Sequence, residues 1–173
     1  KVMFPALRVG FVIAPPSLVA AIAAARQFAG TQQPTLEQMV LADFIAEGHF
    51  ERHVRRMRNV YAERQQDLID ALHAECDGLV EASPAGSGMH LVGWLPAELD
   101  DRDVSRRAAA RNVDAIPLSA FAIGRGAGRP GLVLGYAHVD RAAIFSACQH
   151  LAAAVRESAA QPTIARARVV PIR

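Results

Sequence analysis

The sequence predicts an α/β protein whose second half is a small α+β subdomain, and three observations predict it. An apolar run, Phe11-Val12-Ile13-Ala14, sits next to helical patterns. A long helical stripe then spans Phe50 to about Cys76, and beyond it short strand-like runs alternate with one-sided helices. The part beyond the long helix therefore reads as a small α+β subdomain, and residues 158–173 as a disordered tail.

The elements follow in order. Phe11–Ala14 reads as a buried strand, with Arg8 near its start. Pro15-Pro16-Ser17 stops it and opens a helix on which Leu18, Ile22 and Ala25 recur, with Gly30 placed as its end. Thr35 with Gln38 has the form of a capping box opening a second helix, which carries Leu36, Met39, Val40 and Phe44 and ends at Gly48. Phe50, Val54, Met57, Tyr61, Leu68 and Leu72 form one stripe of a long helix, with Arg52, Arg55, Arg56 and Arg58 on its other faces. Leu79–Ala82 and Met89–Leu95 read as strands, separated by a turn-prone segment. Asp100 or Asp101 caps a helix to Arg111, and Asn112 is its stop. Val113–Leu118 and Leu132–Tyr136 are further strands around a glycine-rich loop, and Asp140 caps a last helix through Val155. Ile144, Cys148 and Leu151 face inward on that helix.

Composition narrows the class. Half the residues are apolar (51%), 21% are charged, and the net charge is +2, so this portion is no obvious nucleic-acid binder. No apolar stretch reaches the ~18 residues a membrane span needs. Two distant cysteines, Cys76 and Cys148, argue for reduced thiols in a cytoplasmic protein. The chain lacks an initiator methionine and reads as the C-terminal part of a longer polypeptide. His49 and His53 share a helix face, but no third ligand accompanies them, so no metal site is expected. No Gly-x-Ser-x-Gly elbow is present, which removes the serine-hydrolase class.

Chemistry concentrates at the start. Lys1 is the only lysine among 19 basic Lys and Arg residues. A lysine amine can lose its proton and attack a carbonyl, which an arginine cannot do. Arg8 offers a fork suited to a phosphate dianion. An imine-forming lysine with a phosphate-gripping arginine is the equipment for pyridoxal 5'-phosphate (PLP).

Lys1–Gly10, with Pro5-Ala6-Leu7-Arg8-Val9-Gly10, resembles the lysine–arginine segment of fold-type I aminotransferases and is most similar to the MocR branch. Residues 46–58, Gly88-Met89-His90-Leu91 and Gly131–Ala137 resemble that branch too, so the likeness covers residues 1 to about 157. MocR proteins join a GntR-type winged-helix DNA-binding domain to an aminotransferase-like domain. The resemblance implies the PLP-dependent transferase fold type I: residues 1–49 would close the large domain and residues 50–157 make the small one. It implies a homodimer holding PLP as a Schiff base on Lys1, with Lys1 the catalytic residue and Arg8 on the phosphate. An amine or amino acid would be the effector, and DNA would be read by a winged-helix domain outside this chain. The implied setting is a bacterial cytoplasm.

One departure stands out. Aminotransferases carry an arginine in an R-L-x-F-like last strand that clamps the substrate carboxylate. Here Val133 takes that place, and Arg129 is the candidate to bind substrate from another direction. The departure favours a PLP-binding sensor; the alternative is a genuine class I/II aminotransferase. His90, in a segment near the cofactor in relatives, is a candidate supporting residue.

Overall fold

The computed structural model describes residue 3 and residues 8–29, 35–86, 88–123 and 128–161. The chain divides into two compact units, Lys1–Arg58 and Asn59–Arg173. Within the first lie α1 (Pro16–Phe28), α2 (Thr35–Ala46) and the start of α3 (His49–Cys76). Pro16 opens α1, where a missing N–H costs nothing and φ is already suitable, and Ala29 closes it; Gly30, the expected stop, lies outside the described residues. Gly48 ends the turn after α2 with φ +74, a left-handed conformation that a side chain would strain.

The strand expected at Phe11–Ala14 does not form. These residues are irregular, with Phe11 88% and Ile13 89% exposed. Apolar composition satisfies the local requirement for a strand, but a ladder also needs a neighbouring strand, and the described residues of this unit contain none. No residue of α1 or α2 is buried.

The second unit contains the core. Its sheet is antiparallel throughout, in the order β1 (Glu81–Ala82), β2 (His90–Trp94), β4 (Gly131–Gly135), β3 (Ile116–Pro117). Leu91, Leu132 and Leu134 alternate onto one face and pack in a single cluster. Their partners are Leu68, Ala71, Leu72 and Cys76 of α3, Val104 and Ala108 of α4 (Asp101–Ala109), and Ile144, Cys148, Leu151 and Val155 of α5 (Arg141–Ala160). The expected Val113–Leu118 strand shrinks to Ile116–Pro117 and passes into a 3-10 turn, Leu118–Phe121. Pro117 has no N–H for a ladder, so pairing cannot continue through it. Asn112, expected as the stop of α4, adopts φ 60, and Asp140 caps α5 by accepting from the Ala143 N–H (2.8 Å).

Polar groups fix the ends. Tyr136 is buried; its hydroxyl accepts from Gln65 Nε2 of α3 (2.8 Å) and donates to the Gly88 carbonyl (3.2 Å). Arg64 donates to the Ala137 carbonyl, a second tie from α3 to the end of β4. The first turn of α4 uses three carboxylates separately. Asp100 caps the helix, accepting from the Arg102 N–H at 2.9 Å. Asp101 accepts from the Ser119 N–H (2.9 Å) and hydroxyl (2.6 Å) and from the Gly131 N–H (3.4 Å), pinning the 3-10 turn to β4. Asp103 accepts from Arg106 (2.6 Å), Arg107 (2.7 Å) and the Ser158 hydroxyl (2.8 Å). That last bond helps explain why α5 runs on to Ala160. Ser158, read from sequence as the start of a disordered tail, is instead buried in the helix; residues 162–173 lie outside the described set.

Burial opposes ionisation of Asp103, but hydrogen bonds from Arg107 and Ser158 and the charges of Arg107 and Arg106 outweigh it and hold its pKa below the ordinary carboxylate value. The ionised group thus stabilises the fold above the unfolded pKa of about 4, and that contribution is lost as pH falls through the folded value. Asp103→Asn should lower stability near neutral pH by about 1–3 kcal/mol, with its difference from wild type shrinking below about pH 4. Urea unfolding across that range checks both parts.

Cys76 and Cys148 are free and buried. Burial pushes the Cys76 thiol up to about 11, and burial with the neighbouring Cys76 pushes Cys148 up to about 12. Neither should be alkylated by iodoacetamide near pH 8 until this unit unfolds. Mass spectrometry of labelled native and urea-treated protein reads this directly.

Candidate functional site

The sheet has a second face, and the strand register says what lies on it. Glu81 pairs with Trp94 and Trp94 with Gly131; Val92 pairs with Val133 and Val133 with Ile116; His90 pairs with Gly135. Because side chains alternate, these residues point away from the leucine core. The glycines confirm the assignment of faces. A Cβ on Gly93 would meet Val80 and Leu134 in the core, at 2.8 and 3.1 Å. One on Gly131 would meet Val92 Cγ1 (3.2 Å) and Trp94 Cε3 (3.3 Å), and one on Gly135 the His90 ring (3.2 Å). β4 therefore places one side chain, Val133, on this open face, between two glycines. Val92 and Val133 are half-buried there, and Ile116 is 41% exposed.

Arg129 lies at one end of this face. Its Nη2 donates to Glu81 Oε2 (2.6 Å), its Nε donates to the Leu95 carbonyl (3.2 Å), and its guanidinium sits 5.8 Å over the Trp94 ring. The strand pairing of Glu81 with Trp94 brings these three groups together. Arg129 also lines an open cavity of about 800 Å³ with Trp94, Leu99, Arg102, Ser119 and Phe121. His90 lies at the other end, exposed and without a hydrogen bond or ion pair among the described residues.

The first unit carries the other candidates. Lys1 lies outside the described residues. Arg8 is described: it is exposed, holds φ 50, and makes no hydrogen bond or ion pair among the described residues. An exposed guanidinium is chemically suited to a phosphate, which it can take in bidentate fashion. Gly10, Phe11, Val12 and Ala14 and the Val19, Ile22 and Arg26 side of α1 border an open groove of about 750 Å³.

The arginines of α3 divide. Arg55 pairs with Glu51 (2.6 Å), and Arg52 donates to His49 Nδ1 (2.7 Å) while His49 Nε2 faces Glu47 (3.0 Å). One neutral tautomer of His49 satisfies both contacts, with the proton on Nε2. Among the described residues no three His, Cys, Asp or Glu side chains converge as metal ligands, and no helix is long and apolar enough to cross a membrane.

Two residues escaped the sequence reading. Glu81 holds Arg129 although 48 positions separate them, a pairing that only the strand register creates. Asp101 was seen only as an alternative cap, whereas it anchors the turn and β4.

No family model matches the chain. Among curated proteins it is 35% identical over 140 residues to the probable rhizopine catabolism regulatory protein MocR of Rhizobium meliloti, covering 81% of this chain and 28% of that protein. It is 34% identical over 156 residues to the 2-aminoadipate transaminase of Thermus thermophilus, covering 90% and 39%. Among solved structures it superposes on the α-aminoadipate aminotransferase LysN, also of Thermus thermophilus, solved with N-(5'-phosphopyridoxyl)-L-leucine. There the TM-score is 0.83 at 33% identity over 92% of this chain and 41% of that one. The chain thus spans well under half the length of these relatives.

Proposed function

We propose, from the premise that the chain belongs to the fold-type I aminotransferase-like proteins shared by MocR-type regulators and PLP-dependent aminotransferases, that it forms part of the effector domain of a MocR-type transcriptional regulator. The cofactor is PLP. Lys1 would hold it covalently through Nζ, and when displaced the same amine would carry a proton. Arg8 would grip the phosphate, a role that an exposed guanidinium with no partner among the described residues fits. When bound, the cofactor supplies an electron sink for bonds at the amine-bearing carbon of a ligand. A winged-helix domain elsewhere in the polypeptide would read DNA, and the protein would act as a homodimer.

The observation that carries the regulatory reading is Val133. By its resemblance to the R-L-x-F-like last strand it would take the place of the arginine of the aminotransferase carboxylate clamp, and in the sheet it pairs with Val92 and Ile116. A substrate oriented without that clamp loses positioning that catalysis requires, whereas a sensor needs only two states of different ligand affinity. A second reading, a genuine aminotransferase with Arg129 as a displaced clamp, draws on the 34% identity to a transaminase. In that case Arg129 has to exchange Glu81 for substrate.

Borohydride reduction of the PLP-loaded full-length protein, followed by peptide mapping, should place the adduct on Lys1; an adduct elsewhere removes the assignment. Arg8→Ala should weaken PLP binding about tenfold to a hundredfold with little change in folding, because one charge-assisted fork is lost. Fluorescence titration with PLP measures it. DNA binding that responds to PLP or an amine, beside slow half-reactions with a panel of amino acids, is the expected pair of results. Fast turnover with DNA binding indifferent to ligand selects the enzyme.

A further inference from the structure

The turn that follows α3 holds the only Asp-Gly pair of the chain, Asp77-Gly78. Both residues are left-handed, at φ 48 and φ 77, and the Leu79 N–H donates to the Cys76 carbonyl across them at 2.8 Å. Two positive φ values inside a loop closed by that bond make a tight turn of the primed kind, which Asp-Gly suits. The turn is rooted in the core at both ends. Cys76 and Val80 are buried, and Leu79 packs against the same cluster. Its tip faces solvent: the Asp77 side chain is 73% exposed, and a Cβ on Gly78 would meet nothing within 4 Å.

This geometry sets an electrophile beside a nucleophile. The bond that closes the turn uses the Leu79 N–H, so the Gly78 nitrogen lies outside it. Gly78 also carries no side chain to shield that nitrogen from the neighbouring Asp77 carboxyl carbon. One group opposes their approach. Arg156 of α5 donates through Nη2 to Asp77 Oδ2 (2.7 Å) and to the Glu75 carbonyl (2.6 Å), which anchors the carboxylate to the helix beside it.

We propose that Asp77-Gly78 is a site of spontaneous backbone isomerisation to isoaspartate, and that Arg156 restrains it. The Asp77 carboxylate takes up a proton, and the Gly78 nitrogen bonds to Asp77 Cγ. The Cγ–O bond breaks, and the hydroxyl leaves with the Gly78 amide proton as water. Water then opens the cyclic imide. Opening at the Asp77 main-chain carbonyl routes the backbone through Cβ and Cγ, frees that carbonyl as a carboxylate and releases a proton. The sequence is redox-neutral and its only co-reactant is water. The backbone gains a methylene carbon, so the loop no longer fits the bond between Leu79 and Cys76, and the misfit falls on Cys76 in the core.

The test keeps full-length protein in neutral buffer for weeks beside a free peptide of residues 73–81. Peptide mapping with electron-transfer fragmentation tells isoaspartate from aspartate. Isoaspartate should accumulate at Asp77, and aged protein should be alkylated at Cys76 by iodoacetamide faster than fresh protein. Arg156→Ala should speed the isomerisation about twofold to fivefold, the range that loss of a surface ion pair gives. Arg141→Ala, which removes the partner of Asp67 from the same helix, should leave the rate unchanged. Asp77→Glu, whose longer side chain does not close the five-membered ring readily, should show neither isomerisation nor faster alkylation. No isoaspartate at Asp77 by the time the peptide has converted overturns the proposal. Equal rates in wild type and Arg156→Ala, or equal acceleration in Arg141→Ala, overturn the restraint by Arg156. Isoaspartate without faster alkylation overturns the effect on the core.

Discussion

The pairing of β2 with β4 in one register is the constraint on which the second unit depends. Leu91 opposite Leu134 and Gly93 opposite Leu132 put the leucines of both strands on one face. Slipping either strand by one residue would turn its leucines outward and carry its open-face residues into the core. Burying a leucine is worth about 1.5–3 kcal/mol, so losing even two would cost much of the stability a small domain has. Gly93 belongs to the same constraint. Its missing side chain is what lets Val80 and Leu134 close over the strand, since a Cβ there would lie 2.8 Å from Val80 Cγ1. The register that builds the core thereby also assembles the opposite face, and Glu81 meets Arg129 as a consequence.

Polar groups then hold this arrangement at its ends, where backbone would otherwise lack partners. Tyr136 and Arg64 tie α3 to the turn after β4, while Asp101 ties the 3-10 turn to the first residue of β4. These contacts are specific in a way the leucine core is not. Leucine tolerates several packings at similar cost, whereas a buried carboxylate with two N–H donors and a hydroxyl has one acceptable position. Asp101 therefore fixes where β4 begins, and with it the place of Val133 on the open face.

Much of this was legible in the sequence because it is written locally. The caps at Asp100 and Asp140, the stop at Asn112 and the stripe of α3 each depend on residues within a few positions of one another. Phe11–Ala14 shows the limit of local reading. Its composition suits a buried strand, but a strand is a relation between two segments, and the described residues of that unit supply only one. Ile116–Pro117 failed for a different reason, a proline that cannot donate to the ladder. The candidate site divides in the same way. Lys1, Arg8 and Val133 were named by resemblance to a motif, while the Glu81 partner of Arg129 depends on a strand register that joins distant positions.

The two units also differ in where their stability can come from. Helices of 12 or 13 residues such as α2 and α1 are marginal in water by themselves. Neither buries a residue, and Leu18, Val19, Leu36, Met39 and Val40 are each half exposed or more. These side chains therefore still have hydrophobic stabilisation to gain from surface outside the described residues. The second unit, by contrast, holds the whole buried cluster, including Leu68, Leu72 and Cys76 of α3. Its interactions close within the chain, so a substitution there is read against a core that is already complete. The candidate cofactor residues fall in the other unit, where the described helices bury no residue, so a substitution there is read by what the side chain binds.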